Sequence, residues 1–261
     1  MKAVRFGRIH ADHVTFDESI ERIVSRAQRR EGGYVVTPNV DHVVLAERDP
    51  ELQAAYSSAF LSVADGMPLL WMARLFGTPL PAKISGSDLT VPLVAAATKA
   101  GVGVFLLGAS PESCRGAART LAAQCPGVEV LGHCSPDFAV DGDDSAVLDA
   151  CTQVRSSGAG LVLVAMGCPK QEVLMYRYRE ALGGAVAIGI GGTLRFLAGE
   201  IDRCPAWMAG AGLEWLYRLA KEPRRLAHRY LVRDREIFAI AWRQWRSADA
   251  LRVGTERVDH S

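Results

Sequence analysis

Gly160-Leu-Val-Leu-Val-Ala-Met166 decides the fold. It is an unbroken apolar run of strand length. Gly167-Cys-Pro-Lys-Gln171 follows, then a helical pattern to Leu182 and a second apolar run, Ala185–Ile190. A strand without polar alternation is buried on both faces, and two such strands joined through a helix imply a parallel pair. Working outward, Tyr34–Thr37, Leu61–Ala64, Val102–Leu107 and Val128–Leu131 have the same character, with a helical pattern over Ser113–Cys125. Right-handed crossovers turn this alternation into a Rossmann-like, doubly wound, mostly parallel α/β sheet. The 261 residues suffice for a full core, and the composition, 49% hydrophobic and 23% charged, excludes collagenous, disulfide-scaffold and disordered chains.

Ligands of doubly wound sheets bind at the carboxyl ends of the strands. Those ends read Thr37-Pro-Asn39, Gly108-Ala-Ser110, Gly167-Cys-Pro-Lys170-Gln171 and Gly189-Ile-Gly191-Gly192, with Asp65-Gly66 after Leu61–Ala64. Each has a plain alternative. Asp65 reads as an N-cap, Asn39 as a turn-and-cap residue, Gly167–Glu172 as a helix start, and the glycine turn at 189–192 as a tight connection without a ligand. The glycine turn lacks the dinucleotide fingerprint, because Leu194 occupies the last glycine position. Asp141-Gly-Asp143 contains the D-x-D of many metal-dependent glycosyltransferases, but in a polar loop where a solvated turn is the better reading. Convergence of several polar strand ends on one sheet edge is what points to a site.

The net charge of +1 conceals an asymmetry. Residues 1–214 carry a net −4 and residues 215–246 a net +6. Trp207, Trp215, Trp242 and Trp245 lie in or beside the basic segment. Its apolar residues recur near helical period, with Arg218, Lys221, Arg224, Arg225 and Arg229 between them, and Glu222-Pro223 interrupts the helix. Two readings stand side by side here: an interfacial helix with aromatic anchors on anionic lipid, or a C-terminal helix packed on its own domain or a second subunit. No nucleic-acid recognition motif is present. The six cysteines show no zinc spacing, the start has no signal-peptide core, and no apolar run reaches spanning length. Scattered thiols without an export signal lead to the expectation of a cytoplasmic protein.

Taken in order, Thr37-Pro-Asn39-x-Asp-His42, Asp65-Gly66, Ser85-Gly-Ser-Asp88, Gly167-Cys-Pro-Lys-Gln-Glu172, Gly191-Gly192, Phe196-Leu-Ala-Gly199, Arg203-Cys-Pro205, Gly212–Arg218 and Glu222-Pro-Arg-Arg225 resemble the WecG/TagA/CpsF family of bacterial glycosyltransferases, from about residue 5 to about 240. The resemblance implies an inverting, metal-independent enzyme without a cofactor. It would move a sugar from a UDP-sugar to a polyprenyl-diphosphate-linked saccharide at the inner face of the cell membrane, in polysaccharide synthesis. It implies a core over 1–211 and a membrane-docking helical appendage over 212–246, and the residues after these, 247–261, read as a disordered tail. Asp65 matches the family's base, Thr37 and Asn39 its sugar- and acceptor-side polar residues, and Gln171 a donor-site residue. Gly108, Lys170, Gly189, Gly191, Gly192 and Arg195 are further candidates for the donor. Lys83, Arg218, Arg224, Arg225 and Arg229 are candidates for the acceptor or its diphosphate, since arginine can bond phosphate bidentately. Three positions depart from the family pattern: Lys83 stands for an arginine, Leu194-Arg195 for Phe-Asp, and Asp137 for an aromatic. Lys83, Leu194 and Arg195 motivate the alternative of a non-catalytic UDP-sugar-binding or scaffold subunit. A homo-oligomer stays open at this stage.

Overall fold

The computed structural model describes residues 2–140, 144–205, 207–208 and 212–246. The D-x-D acids Asp141 and Asp143, the residue at the expected 211/212 boundary and the tail from 247 lie outside them.

Six strands pair in parallel in the order β4-β3-β8-β7-β5-β6. They are β3 (Tyr34–Val36), β4 (Leu61–Ser62), β5 (Val104–Gly108), β6 (Val130–Cys134), β7 (Leu161–Ala165) and β8 (Val186–Gly189). Each overlaps an apolar run of the sequence, β6 only at Val130 and Leu131. Edge strand β6 starts two residues later than its apolar run, because its residues are half exposed and burial does not mark its limits. Along β7, Val162 and Val164 join the core on one face of the sheet, and Leu161 and Leu163 the core on the other. Both faces are dry, so the period-2 alternation of a half-exposed strand is absent.

The second of these cores is covered by α1 (Phe16–Gln28), α5 (Gly86–Lys99) and α6 (Pro111–Gln124). The first is covered by α2 (Val40–Ala46), α3 (Pro50–Ser58), α7 (Ser145–Ser157) and α8 (Lys170–Arg177). Local sequence sets many of the helix starts. Thr15 and Glu18 form a reciprocal capping box on α1, and Ser85 and Ser110 cap α5 and α6. Helix α8 ends at Arg177, short of Leu182, and its last residues give way to turns. A two-stranded antiparallel hairpin, β1 (Ala3–Phe6) with β2 (Ile9–Asp12), precedes α1.

The C-terminal residues form α10 (Glu214–Lys221), α11 (Pro223–His228), a π-helical turn at Arg229–Arg233 and α12 (Glu236–Arg246), following α4 (Met67–Leu75) and α9 (Thr193–Leu197) in chain order. Glu222-Pro223 breaks the helix as its chemistry requires, with Pro223 restarting it at the first position. Helix α12 returns to the N-terminal hairpin. The Gln244 amide donates to the Arg5 carbonyl at 2.6 Å and accepts from Gly7 N–H at 3.0 Å. Arg243 pairs with Glu47, Arg48 pairs with Glu236, and Ile237 and Ile240 are buried. The same segment exposes Trp215, Leu231, Val232, Phe238, Trp242 and Trp245. No described helix is long and apolar enough to cross a membrane.

Candidate active site

A cleft of about 710 Å³ opens over the carboxyl ends of β4, β3, β8 and β7. Parallel pairing builds its floor. Val63 N–H donates to Val36 O at 2.9 Å, and Asp65 N–H to Pro38 O at 2.7 Å, so Asp65 is pinned beside Thr37-Pro-Asn39. Asp65 is not the helix cap. That position is Gly66, whose φ of +104° turns the chain into α4 and which makes no side-chain cap bond. The carboxylate lines the cleft instead.

Thr37 is buried and donates its hydroxyl to Gly189 O at 3.2 Å, tying β3 to β8. Asn39 does cap α2: its Oδ1 accepts from His42 N–H at 3.3 Å. That fixes the amide, so Nδ2 faces His42 Nε2 at 3.3 Å and donates to it. The imidazole proton therefore sits on Nδ1, 2.6 Å from the Tyr56 hydroxyl. This tautomer requires a neutral ring. Burial, with the positive charges of Arg229 and Arg233, pushes the His42 pKa down to about 3.

Gln171 joins the two other loops. Its Oε1 accepts from Gly167 N–H at 3.2 Å and Gly191 N–H at 3.0 Å, and its Nε2 donates to Glu172 Oε1 at 2.8 Å. A Cβ at Gly189 would stand 2.7 Å from Gln171 Nε2 and would push aside the amide that joins the two loops. No atom lies within 4 Å of where a Cβ would stand at Gly191 or Gly192, so these two residues border open space in the cleft. Glu172 is fully buried, and burial pushes its carboxyl up to about 7.

Cations also line the cleft, and most are already paired. Arg195 meets Glu200 at 3.2 Å, and Lys221 meets Asp202 at 3.1 Å. Arg218 lies over the Phe196 ring at 5.6 Å. Lys83 does not line the cleft itself but holds Asp88 at 2.9 Å, and Arg203 takes the other oxygen of Asp88 at 2.9 Å. Burial of Asp88 opposes its ionisation. The hydrogen bonds from Lys83 and Ser85 outweigh that, and the carboxyl sits below its ordinary value. Buried Asp41 takes Arg229 on one oxygen at 3.2 Å and Arg233 on the other. Both arginines also face Asp234, whose carboxyl is raised to about 6 by burial and then by the charge of Asp41.

Thr37, Asn39, Asp65, Gln171, Gly191, Gly192, Arg195, Arg218 and Arg229 thus converge on one cleft. Gly189 supports it from beneath. Gly108 does not line it. A Cβ there would stand 2.8 Å from Ala165 O, so its glycine serves backbone packing between β5 and β7. Lys170 and Arg224 are exposed and also stand outside the lining residues, and the Arg225 side chain lies outside what the structure describes. Sequence reasoning assigned no site role to Asp41, His42, Asp88, Arg203, Lys221 or Arg233, which also line it. Four of them sit inside the quoted motifs, but only folding sets them against one another.

These features define a doubly wound α/β protein with a carboxylate-bearing, arginine-rimmed cleft at the sheet's carboxyl edge. Residues 4–250 match the glycosyl transferase WecG/TagA/CpsF family model, and the chain belongs to that family of glycosyltransferases. It is 30% identical over 197 residues to an N-acetylglucosaminyldiphosphoundecaprenol N-acetyl-beta-D-mannosaminyltransferase of Bacillus spizizenii, covering 76% of this chain and 74% of that one.

Proposed function

We propose that this protein transfers a sugar from a UDP-sugar to a polyprenyl-diphosphate-linked saccharide ending in N-acetylglucosamine, with inversion and without a metal on the diphosphate. The observation that carries the reading is the placement of Asp65. It lies beside Thr37 and Asn39 at the strand ends, in a cleft that five arginines, Arg195, Arg203, Arg218, Arg229 and Arg233, also line. Single displacement needs a base for the acceptor hydroxyl and positive charge for the departing UDP. Asp65 takes the proton. The acceptor oxygen bonds to the anomeric carbon as the bond to the UDP oxygen breaks. Arg195, Arg218 and Arg229 stand where charge on a diphosphate would be met, and open space beside Gly191 and Gly192 leaves room for it. The exposed Trp215, Phe238, Trp242 and Trp245, set among basic residues, support docking on an anionic membrane surface on the cytoplasmic side.

The test is Asp65→Ala, assayed by UDP release with an undecaprenyl-diphosphate-sugar analogue. A lost general base lowers turnover by about 10²–10⁴-fold. UDP binding, read by thermal shift, should survive. Turnover within tenfold of the parent would remove Asp65 from the role.

A further inference from the structure

We propose that His42, Cys168 and Glu172 form a binding site for a thiophilic divalent cation of the zinc class, opening onto the cleft. One ligand atom from each side chain lies within 4.8 Å of the other two. What sets this trio apart is how the remaining atoms are held. His42 Nδ1 is engaged by the Tyr56 hydroxyl at 2.6 Å, which leaves Nε2 as the acceptor nitrogen. Glu172 Oε1 is engaged by Gln171 Nε2 at 2.8 Å. Its Oε2 is buried, in a residue of 0% exposure, where no nitrogen or oxygen donor reaches it and a hydrogen-bonding neighbour of the carboxyl is the Cys168 thiol. Metal-binding histidines and carboxylates are oriented in this way, through outer hydrogen bonds on the far atom. A buried carboxyl oxygen met by no donor stronger than a thiol needs an explanation, and a ligand that takes both sulfur and oxygen supplies one.

The donor set selects the ion. One imidazole nitrogen, one sulfur and one carboxylate oxygen suit zinc and its neighbours, whereas magnesium and calcium ask for oxygen. Charge agrees. On binding, the Cys168 thiol gives its proton to solvent, as does Glu172 where protonated, so thiolate and carboxylate cancel the divalent charge at a buried position. Zinc bonds of about 2.0–2.3 Å place tetrahedral ligand atoms roughly 3.3–3.8 Å apart. The trio must therefore close by about 1 Å. Cys168 is only partly buried, in the loop before α8, so closure there disturbs little of the core. His42 and Cys168 both line the cleft, which gives the ion an entry path and leaves a fourth position facing it.

Occupancy has a consequence for the transferase, and this step rests on the function proposed above. The metal takes His42 Nε2 away from Asn39 Nδ2. Asn39 keeps its cap bond from His42 N–H but loses the acceptor for Nδ2, and the ion then stands beside that amide at the cleft, so zinc-class ions inhibit.

The experiment titrates metal-stripped full-length protein with Co²⁺. One equivalent should produce a thiolate-to-cobalt charge-transfer band together with tetrahedral d–d bands, and Zn²⁺ should displace both. Cys168→Ser should abolish the charge-transfer band. Glu172→Gln should weaken Co²⁺ binding at least about tenfold, with circular dichroism confirming both folds. Zn²⁺ should inhibit UDP release by the parent, and Cys168→Ser should need at least about tenfold more for half-inhibition. Absence of the band in the parent protein overturns the site, and so does an undiminished band in Cys168→Ser. If no turnover is seen under any condition, the transferase reading fails while the spectra still decide the site.

Discussion

Asp41→Asn tests how the C-terminal helices are held to the body. The Asp41 carboxylate is buried at the start of α2 and holds Arg229 on one oxygen and Arg233 on the other. Asparagine keeps the volume and one acceptor, but presents N–H groups to the second guanidinium. One charge-assisted bond, worth about 1.5–3 kcal/mol, is lost. Stripping one partner from a fully buried ion pair costs about 3–5 kcal/mol. Here the arginines are 30% and 35% exposed and can rehydrate. We therefore expect about 2–3 kcal/mol. That loss falls on the junction between α2 and the Arg229–Arg233 turn, not on the sheet. Hydrogen exchange with mass spectrometry should show peptides within residues 223–246 opening roughly 30- to 150-fold more often, at about 1.4 kcal/mol per tenfold. Peptides from β7 and β8 should be unchanged. A uniform change across the chain, or none in 223–246, would refute the view that this carboxylate anchors the segment.

Gly189→Ala places a methyl 2.7 Å from Gln171 Nε2. It should lower stability by about 1–3 kcal/mol, read as a fall in Tm, and depress turnover by displacing the amide that joins two cleft loops. Asp234 gives a pH signature. Its folded carboxyl is raised from 3.8 to about 6, so the stability it contributes is complete below pH 3.8 and is lost as pH rises through 6. Asp234→Asn should flatten that decline by on the order of 2 kcal/mol, measured by urea unfolding at pH 4 and pH 7; parallel curves would count against it. Phe238→Ser combined with Trp242→Ser removes exposed apolar surface without touching the core. Tm should hold while co-sedimentation with anionic vesicles falls several-fold, and unchanged co-sedimentation would exclude this face as the docking surface.

The doubly wound sheet was legible because Leu161–Ala165 and its neighbours carry apolar side chains on both faces, a pattern that only a covered parallel sheet satisfies. The polar residues at strand ends were legible for the same reason, since a chain leaving a dry strand announces itself with Asp65, Thr37 or a glycine turn. Caps were read less evenly. Asn39 is one and Asp65 is not, because the choice depends on whether Gly66 adopts a positive φ, which local spacing does not reveal.

What the sequence determined by itself is the covered parallel sheet, the ordered motifs that mark the family and the concentration of positive charge in 215–246. These follow from side-chain chemistry and short-range periodicity. Only the tertiary structure decided that Asp41 meets Arg229 and Arg233 across nearly two hundred residues, that Gln171 spends its amide on joining two loops, and that His42, Cys168 and Glu172 converge beneath the cleft. It also decided that Gly108, Lys170 and Arg224 stand apart from the residues lining that cleft. Partners so distant along the chain leave no periodic trace. Their meeting is set by the crossovers that bring strand ends together and by the return of the last helix to the first hairpin.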